Sequence, residues 1–130
     1  MSYNRIAILA ALRTELVDGG CNPSRGLAEL AGRLLGDDSF DKTMLHKIAE
    51  HRPLAAALLW TRIADQLGGQ PRIEALALAA VFAFNAGNPG LTAGLIDRVD
   101  VAARRDHTEF PAMLRILKLD HRVRAHLAAV

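Results

Sequence analysis

Glycine pairs and prolines divide this chain into short apolar segments. The positions of these residues constrain the fold more than any other feature of the sequence. Glycine pairs stand at 19–20 and 68–69, and prolines stand at 53 and 71. Helices commonly end at glycine and begin at proline. Between these signals, apolar residues recur every three or four positions, as they do on a helix with one buried face. The sequence therefore predicts a series of short helices.

The composition supports helix over strand. The chain has 23 Ala and 20 Leu, against 18 residues of the β-branched types Ile, Val and Thr. Hydrophobic residues make up 51% and charged residues 23%, a balance that excludes a disordered chain. The 130 residues suffice for one core, and no segment has the composition of a linker. We predict a single all-α domain over residues 1–130.

Seven or eight short helices are expected, packed as antiparallel hairpins because all connections are short. The first covers 4–18. The second starts with Asn22 as cap and Pro23 as first helical residue. The third is capped by Ser39 or Asp41 and extends to residue 51.

Two of these helices have a distinct apolar stripe that we expect to face the core. The stripe of the first is Ile6, Leu9, Leu12 and Leu16. The fourth helix begins at Pro53 and has a wide stripe made of Leu54, Leu58, Trp60, Ile63 and Leu67.

The fifth helix, from Pro71 to about Ala86, is expected at the centre of the fold because its polar side chains are few: Arg72, Glu74 and Asn85. The sixth helix is expected over residues 91–105, and the side chains expected to face the core are Leu91, Leu95, Val99 and Ala102. Thr108 is the predicted cap of a seventh helix, and an interruption near Asp120 would make an eighth.

The cellular setting follows from charge, cysteine content and targeting signals. The formal net charge is +2, with the basic excess in the C-terminal part of the chain. Cys21 is the only cysteine, so no intrachain disulfide can form, and a reducing compartment, the cytoplasm, is expected. No signal peptide is predicted. The longest apolar run, 75–84, would span only about 15 Å as a helix, so we expect no membrane span.

One hairpin resembles known helical proteins. Residues 75–88 form an apolar segment ending in Asn-Ala-Gly-Asn, and 91–100 form an amphipathic segment with a small residue near its start. This pair looks like a degenerate tetratricopeptide-type hairpin. More narrowly, residues 54–120 resemble the C-terminal helical half of an uncharacterised actinobacterial family of unknown function. The resemblance implies a helical fold and carries over no activity or site residues.

The chain departs from the pattern of that family in three ways. Where the turn of the family has Gly-Asp-Gly, this chain has Gly87-Asn88-Pro89-Gly90. The expected Asp-Pro after the second helix is replaced by Arg105-Asp106-His107. The larger N-terminal portion of the family has no counterpart.

No catalytic, metal-binding or cofactor-binding residues are predicted, and no cofactor is expected. Asp37, Asp38 and Asp41 surround Ser39, but acids and serine at a helix start more often satisfy free amides than bind a cation. His46 and Glu50 lie four apart on one helical face, where a hydrogen-bonded surface pair is preferred over a metal site.

The remaining reactive or aromatic residues also have structural interpretations. His121 and His126 are five residues apart, so on a helix they point in different directions and would not bind the same metal ion. Cys21 has no base beside it in the sequence to activate it. The aromatic residues Trp60, Phe82 and Phe84 lie in the most apolar segments, where core packing is favoured over stacking on nucleic-acid bases.

Two surfaces of the chain are candidates for nucleic-acid binding. Residues 27–52 can be drawn as a helix-turn-helix with Lys42, Thr43, His46 and Lys47 on the recognition helix, but the three aspartates at its start would repel phosphates. The better surface is basic and C-terminal, although acids interleave with it: Arg104, Arg105, Arg115, Lys118, Arg122 and Arg124.

The favoured function is that of a non-enzymatic domain that binds a protein partner, including a second copy of itself. The mean hydropathy of +0.13 suggests more apolar surface than one small core can bury. A nucleic-acid-binding accessory or regulatory protein is the alternative. An enzyme of unrecognised type is the least favoured.

Overall fold

A computed structural model describes residues 4–18, 22–111 and 114. Their secondary structure is entirely helical and confirms the predicted all-α class. Six helices follow one another along this part of the chain: α1 (Arg5–Asp18), α2 (Arg25–Leu35), α3 (Thr43–Ile48), α4 (Pro53–Asp65), α5 (Gly69–Asn85) and α6 (Pro89–Arg105).

Helix α5 is the centre of the packing, as its apolar sequence predicted. Nine of its side chains are buried, and it packs against α4, α6 and α2. Many of the buried residues are alanines, which allow neighbouring helices to approach closely. The large side chains Trp60 of α4 and Phe82 of α5 are 1% and 2% exposed. Both aromatic rings therefore belong to the core, as expected.

Helix α1 confirms its predicted extent and, except at Ile6, its predicted stripe. Ile8, Leu12 and Leu16 are buried, while Ile6 is 80% exposed. Ile6 lies two residues before Ile8, which is about 200° around a helix. The expectation that Ile6 faces the core was therefore wrong.

Helix α4 shows the same kind of difference. Trp60 and Ile63 are buried as predicted, but Leu54 and Leu58 are 46% and 43% exposed. Leu58 is two residues from Trp60, again about 200° around the helix. Because Trp60 and the small residues Ala56 and Ala57 face the core, both leucines are turned outward.

The start of α2 differs from the predicted start. Ser24, not Asn22, is the cap, and its Oγ accepts a hydrogen bond from the Leu27 amide at 3.1 Å. Pro23 lies before the helix, where its carbonyl accepts a hydrogen bond from the Gln66 side chain at 3.0 Å. This contact, between residues 43 positions apart, could not be read from local sequence.

Helix α3 is shorter than predicted. Asp41 does accept hydrogen bonds from the amide and hydroxyl of Thr43, as a capping residue would. The helix ends at Ile48 rather than at residue 51. Proline disfavours helical geometry in the residue before it, and Arg52, which precedes Pro53, has a non-helical φ of −140°.

The predicted seventh helix falls mostly outside the described residues. Thr108, its expected cap, instead donates a hydrogen bond from its hydroxyl to the Ala103 carbonyl at 3.4 Å. No helix in the described part of the chain has both the length and the apolar character needed to cross a membrane.

Candidate functional site

The outer face of α4 has two large exposed apolar side chains, Leu54 and Leu58. Leu54, Leu58 and Arg62 follow one another at intervals of four residues, and all three are exposed. Residues at this spacing share one side of a helix. The adjacent Leu59 is fully buried, so the two faces of α4 are clearly separated.

The other large exposed apolar side chains are more scattered. Ile6 and Val17 are both on α1 but lie eleven residues apart, about 16 Å along the helix. Met44 of α3 and Val101 of α6 are 40% and 58% exposed. Helix α4 is the place where two exposed leucines lie a single turn apart. Sequence analysis missed this surface because it assigned both leucines to the core.

Charged residues stand at the two ends of this α4 face. Arg62 follows Leu58 on the same side of the helix. Glu50 is exposed and lines a small cavity together with Pro53, the first residue of α4. A guanidinium therefore lies on this face near its C-terminal end, and a carboxylate lies in the turn before its N-terminal end.

Two of the three aspartates around Ser39, Asp37 and Asp41, form hydrogen bonds within the chain, as predicted. Asp37 forms an ion pair with Arg5 of α1, with Nη2 and Oδ2 2.5 Å apart, and its Oδ1 accepts hydrogen bonds from the amide and hydroxyl of Ser39. The side chain of Arg5 also donates a hydrogen bond to Ser39. Within residues 4–18, 22–111 and 114, no three His, Cys, Asp or Glu side chains are grouped as metal ligands.

His46 lies against an aromatic ring. The centroids of the His46 and Phe82 rings are 5.3 Å apart, with a tilt of 58° between the planes. His46 and Glu50 both line the small cavity of about 270 Å³ beside α4. The predicted hydrogen bond between them is not among the contacts of the described residues.

The surface drawn as a recognition helix is occupied by contacts within the chain. His46 packs against Phe82, and the ammonium group of Lys42 lies 3.7 Å from a carboxylate oxygen of Glu74 on α5. Helix α3 has only six residues. Two of the four proposed recognition residues thus face α5, which weakens the helix-turn-helix interpretation.

A larger cleft opens between the start of α5 and the end of α6. Its volume is about 450 Å³, and both apolar and charged side chains line it. Sequence analysis did not identify this site, although Arg72, a charged residue in a nearly apolar helix, was a signal. The cleft is lined by Gly68, Gly69, Arg72, Leu76, Asp97, Arg98, Val101, Ala102, Arg105 and Asp106.

The predicted basic surface is only partly within the described chain. Arg104 and Arg105 are exposed at the end of α6, and Arg104 lies 3.2 Å from a carboxylate oxygen of Asp100. Arg105 lines the cleft. The other four basic residues of this surface lie outside the described residues, as do Cys21, His121 and His126.

Comparison of the chain with protein-family models, with curated proteins and with solved structures gave no significant match in any of the three.

Proposed function

We propose that this protein is a non-enzymatic interaction domain whose partner is a second copy of itself, bound through the outer face of α4. The single observation that carries the proposal is the exposure of Leu54 and Leu58, 46% and 43%, one turn apart on the same side of the helix. Burial of apolar surface is the main favourable contribution to most protein association. Removing these two side chains from water would therefore stabilise a dimer.

The charges beside the leucines are complementary to a second copy in one orientation. Two α4 helices that cross antiparallel about residue 56 place Leu54 of each copy opposite Leu58 of the other. Arg62 lies on α4 one turn beyond Leu58, and Glu50 lies in the turn that precedes α4. In this orientation, the carboxylate end of each face meets the guanidinium end of the other, as a two-fold symmetric interface requires.

The proposed dimer is weak. A contact centred on one helix face belongs to the class of small, transient interfaces, which bury less than about 1,200 Å² in total. We further propose that the helices are arranged as tetratricopeptide-like hairpins, which is supported by the packing of α4 on α5 and of α5 on α6. The proposed location is the cytoplasm, where the single cysteine, Cys21, would stay reduced.

Sedimentation equilibrium over a wide range of protein concentrations tests the proposal. The mass of the wild type should rise from 14.1 kDa towards twice that value as concentration increases. The double variant Leu54→Ser/Leu58→Ser should remain a monomer, with its helix content checked by circular dichroism. The matched control Ile6→Ser/Val101→Ser removes two exposed apolar side chains elsewhere and should behave as the wild type. A wild type that is monomeric at every concentration, or an equal loss in the control, overturns the proposal.

Nucleic-acid binding is the second candidate function, and the exposure of Arg104 and Arg105 at the end of α6 favours it. Binding of labelled DNA and RNA oligonucleotides by fluorescence anisotropy, at low and high salt, tests it. Charge reversal at Arg122 and Arg124 should then weaken binding and reduce its salt dependence. Unchanged, salt-insensitive binding rejects this function.

A further inference from the structure

One of the residues that line the cleft between α5 and α6 has a buried hydrogen-bond donor without a partner. The Nε atom of Arg72 is closed off from solvent and makes no hydrogen bond within the described chain. A buried charged donor without an acceptor is costly, and such groups in native proteins call for an explanation. Because the Arg72 side chain lines the cleft, a small rotation of its guanidinium group would let Nε donate a hydrogen bond to a ligand oxygen there.

Further donors surround the same cleft. Arg105 lines it from α6 and forms no ion pair among residues 4–18, 22–111 and 114. Gly68 and Gly69 line it at the start of α5, where no side chain caps the helix. The first amides of a helix have no intrahelical acceptor and favour an anion. Two guanidinium groups and a helix start therefore face one cavity.

The rest of the lining limits the size and charge of the ligand. Leu76, Val101 and Ala102 form an apolar wall, and Asp97 and Asp106 add two carboxylates. Arg98 is already paired with Asp65, with Nη2 and Oδ1 2.7 Å apart. The acids disfavour a polyanion such as nucleic acid, while the apolar wall favours a hydrocarbon portion.

We infer that this cleft binds a small organic molecule with one anionic head group, a carboxylate or a phosphate, and a short apolar body. The head group accepts hydrogen bonds from the Arg72 and Arg105 guanidinium groups, and the body lies against Leu76 and Val101. A volume of about 450 Å³ is within the usual range of small-molecule sites, about 300 to 1,000 Å³. This inference does not depend on dimerisation through α4.

NMR of the ¹⁵N-labelled full chain tests the inference, because the Nε–Hε group of arginine gives its own signal. Butyrate and butyl phosphate are the probes, and butanol is the uncharged control. Butyrate, butyl phosphate or both should shift the Arg72 Nε–Hε signal, and the more effective of the two identifies the head group. Butanol should shift it far less.

Two matched variants complete the test. With binding followed by the backbone amide signals of Val101 and Ala102, Arg72→Gln should weaken binding of the effective probe at least about tenfold, as expected for loss of a charge-assisted hydrogen bond. Arg13→Gln removes an exposed arginine of α1 outside the cleft and should leave binding unchanged. An Arg72 Nε–Hε signal that neither anion moves, or equal weakening in both variants, overturns the inference.

Discussion

Gly87 and His107 occupy the same position at the ends of two consecutive helices. Each follows the C-cap residue and has a positive φ, 71° for Gly87 and 54° for His107. In both cases the next residue donates its amide back into the helix, Asn88 to the Ala83 carbonyl at 3.1 Å and Thr108 to the Ala103 carbonyl at 2.9 Å. Both helices thus end in a Schellman motif, one with the usual glycine and one without.

This equivalence predicts opposite effects of substitution at the two positions. His107→Gly should raise the free energy of unfolding by about 1 kcal/mol, because glycine adopts a positive φ without steric cost. Gly87→Ala should lower it by about 1 kcal/mol for the same reason. Urea unfolding monitored by circular dichroism measures both changes. Changes of the same sign in the two variants would contradict the assignment of the two motifs.

Leu58 and Leu59 are adjacent in sequence but differ completely in burial. Leu59→Ala should lower the free energy of unfolding by about 2–5 kcal/mol, because it leaves a cavity between α4 and its neighbours. Leu58→Ala should change it by less than about 1 kcal/mol when measured at low protein concentration, where the monomer predominates. Urea unfolding followed by Trp60 fluorescence makes the comparison. Equal losses would show that the outer face of α4 is covered within the monomer.

Asp41 should make stability depend on pH in the acid range. Hydrogen bonds from the hydroxyl and the amide of Thr43 lower the pKa of the Asp41 carboxyl below its ordinary value, and the hydroxyl contributes most. Because the pKa is lower in the folded state than in the unfolded state, ionised Asp41 stabilises the fold. This contribution is present above the unfolded pKa and is lost as pH falls through the folded pKa.

The variant Asp41→Asn keeps an acceptor oxygen but cannot ionise. The melting temperature of the wild type should exceed that of this variant at about pH 6, and the difference should shrink by about pH 3. Thermal unfolding at a series of pH values measures it. A difference that is constant over this range would contradict the shifted pKa of Asp41.

Local sequence signals predicted several elements of the fold correctly. Pro53 opens α4 as predicted. Helix α6 ends at Arg105 as predicted but begins at Pro89, two residues before the predicted start, because Asn88 caps it by accepting a hydrogen bond from the Leu91 amide. The nearly continuous apolar sequence of α5 predicted that this helix lies at the centre of the fold. These features depend on residues close together in the chain.

Other features depend on contacts between distant residues and were not predicted. The hydrogen bond from Gln66 to the Pro23 carbonyl helps to set the start of α2. The orientation of Trp60 decides which leucines of α4 are exposed. Likewise, Arg72 and Arg105 are 33 positions apart, and only the packing of α6 on α5 brings them to one cleft. The spacing of apolar residues along α4 indicates two similar apolar faces. It does not say which of the two faces the core.

A charge-reversal cycle at Glu50 and Arg62 tests self-association through α4 most directly. Sedimentation equilibrium gives the dimer dissociation constant for the wild type, Glu50→Arg, Arg62→Glu and the double variant. We predict that each single reversal raises the constant at least about threefold and that the double reversal restores it to within about twofold of the wild type. A double variant that dimerises no better than the single variants, or a wild type that remains a monomer throughout, would contradict the proposed interface.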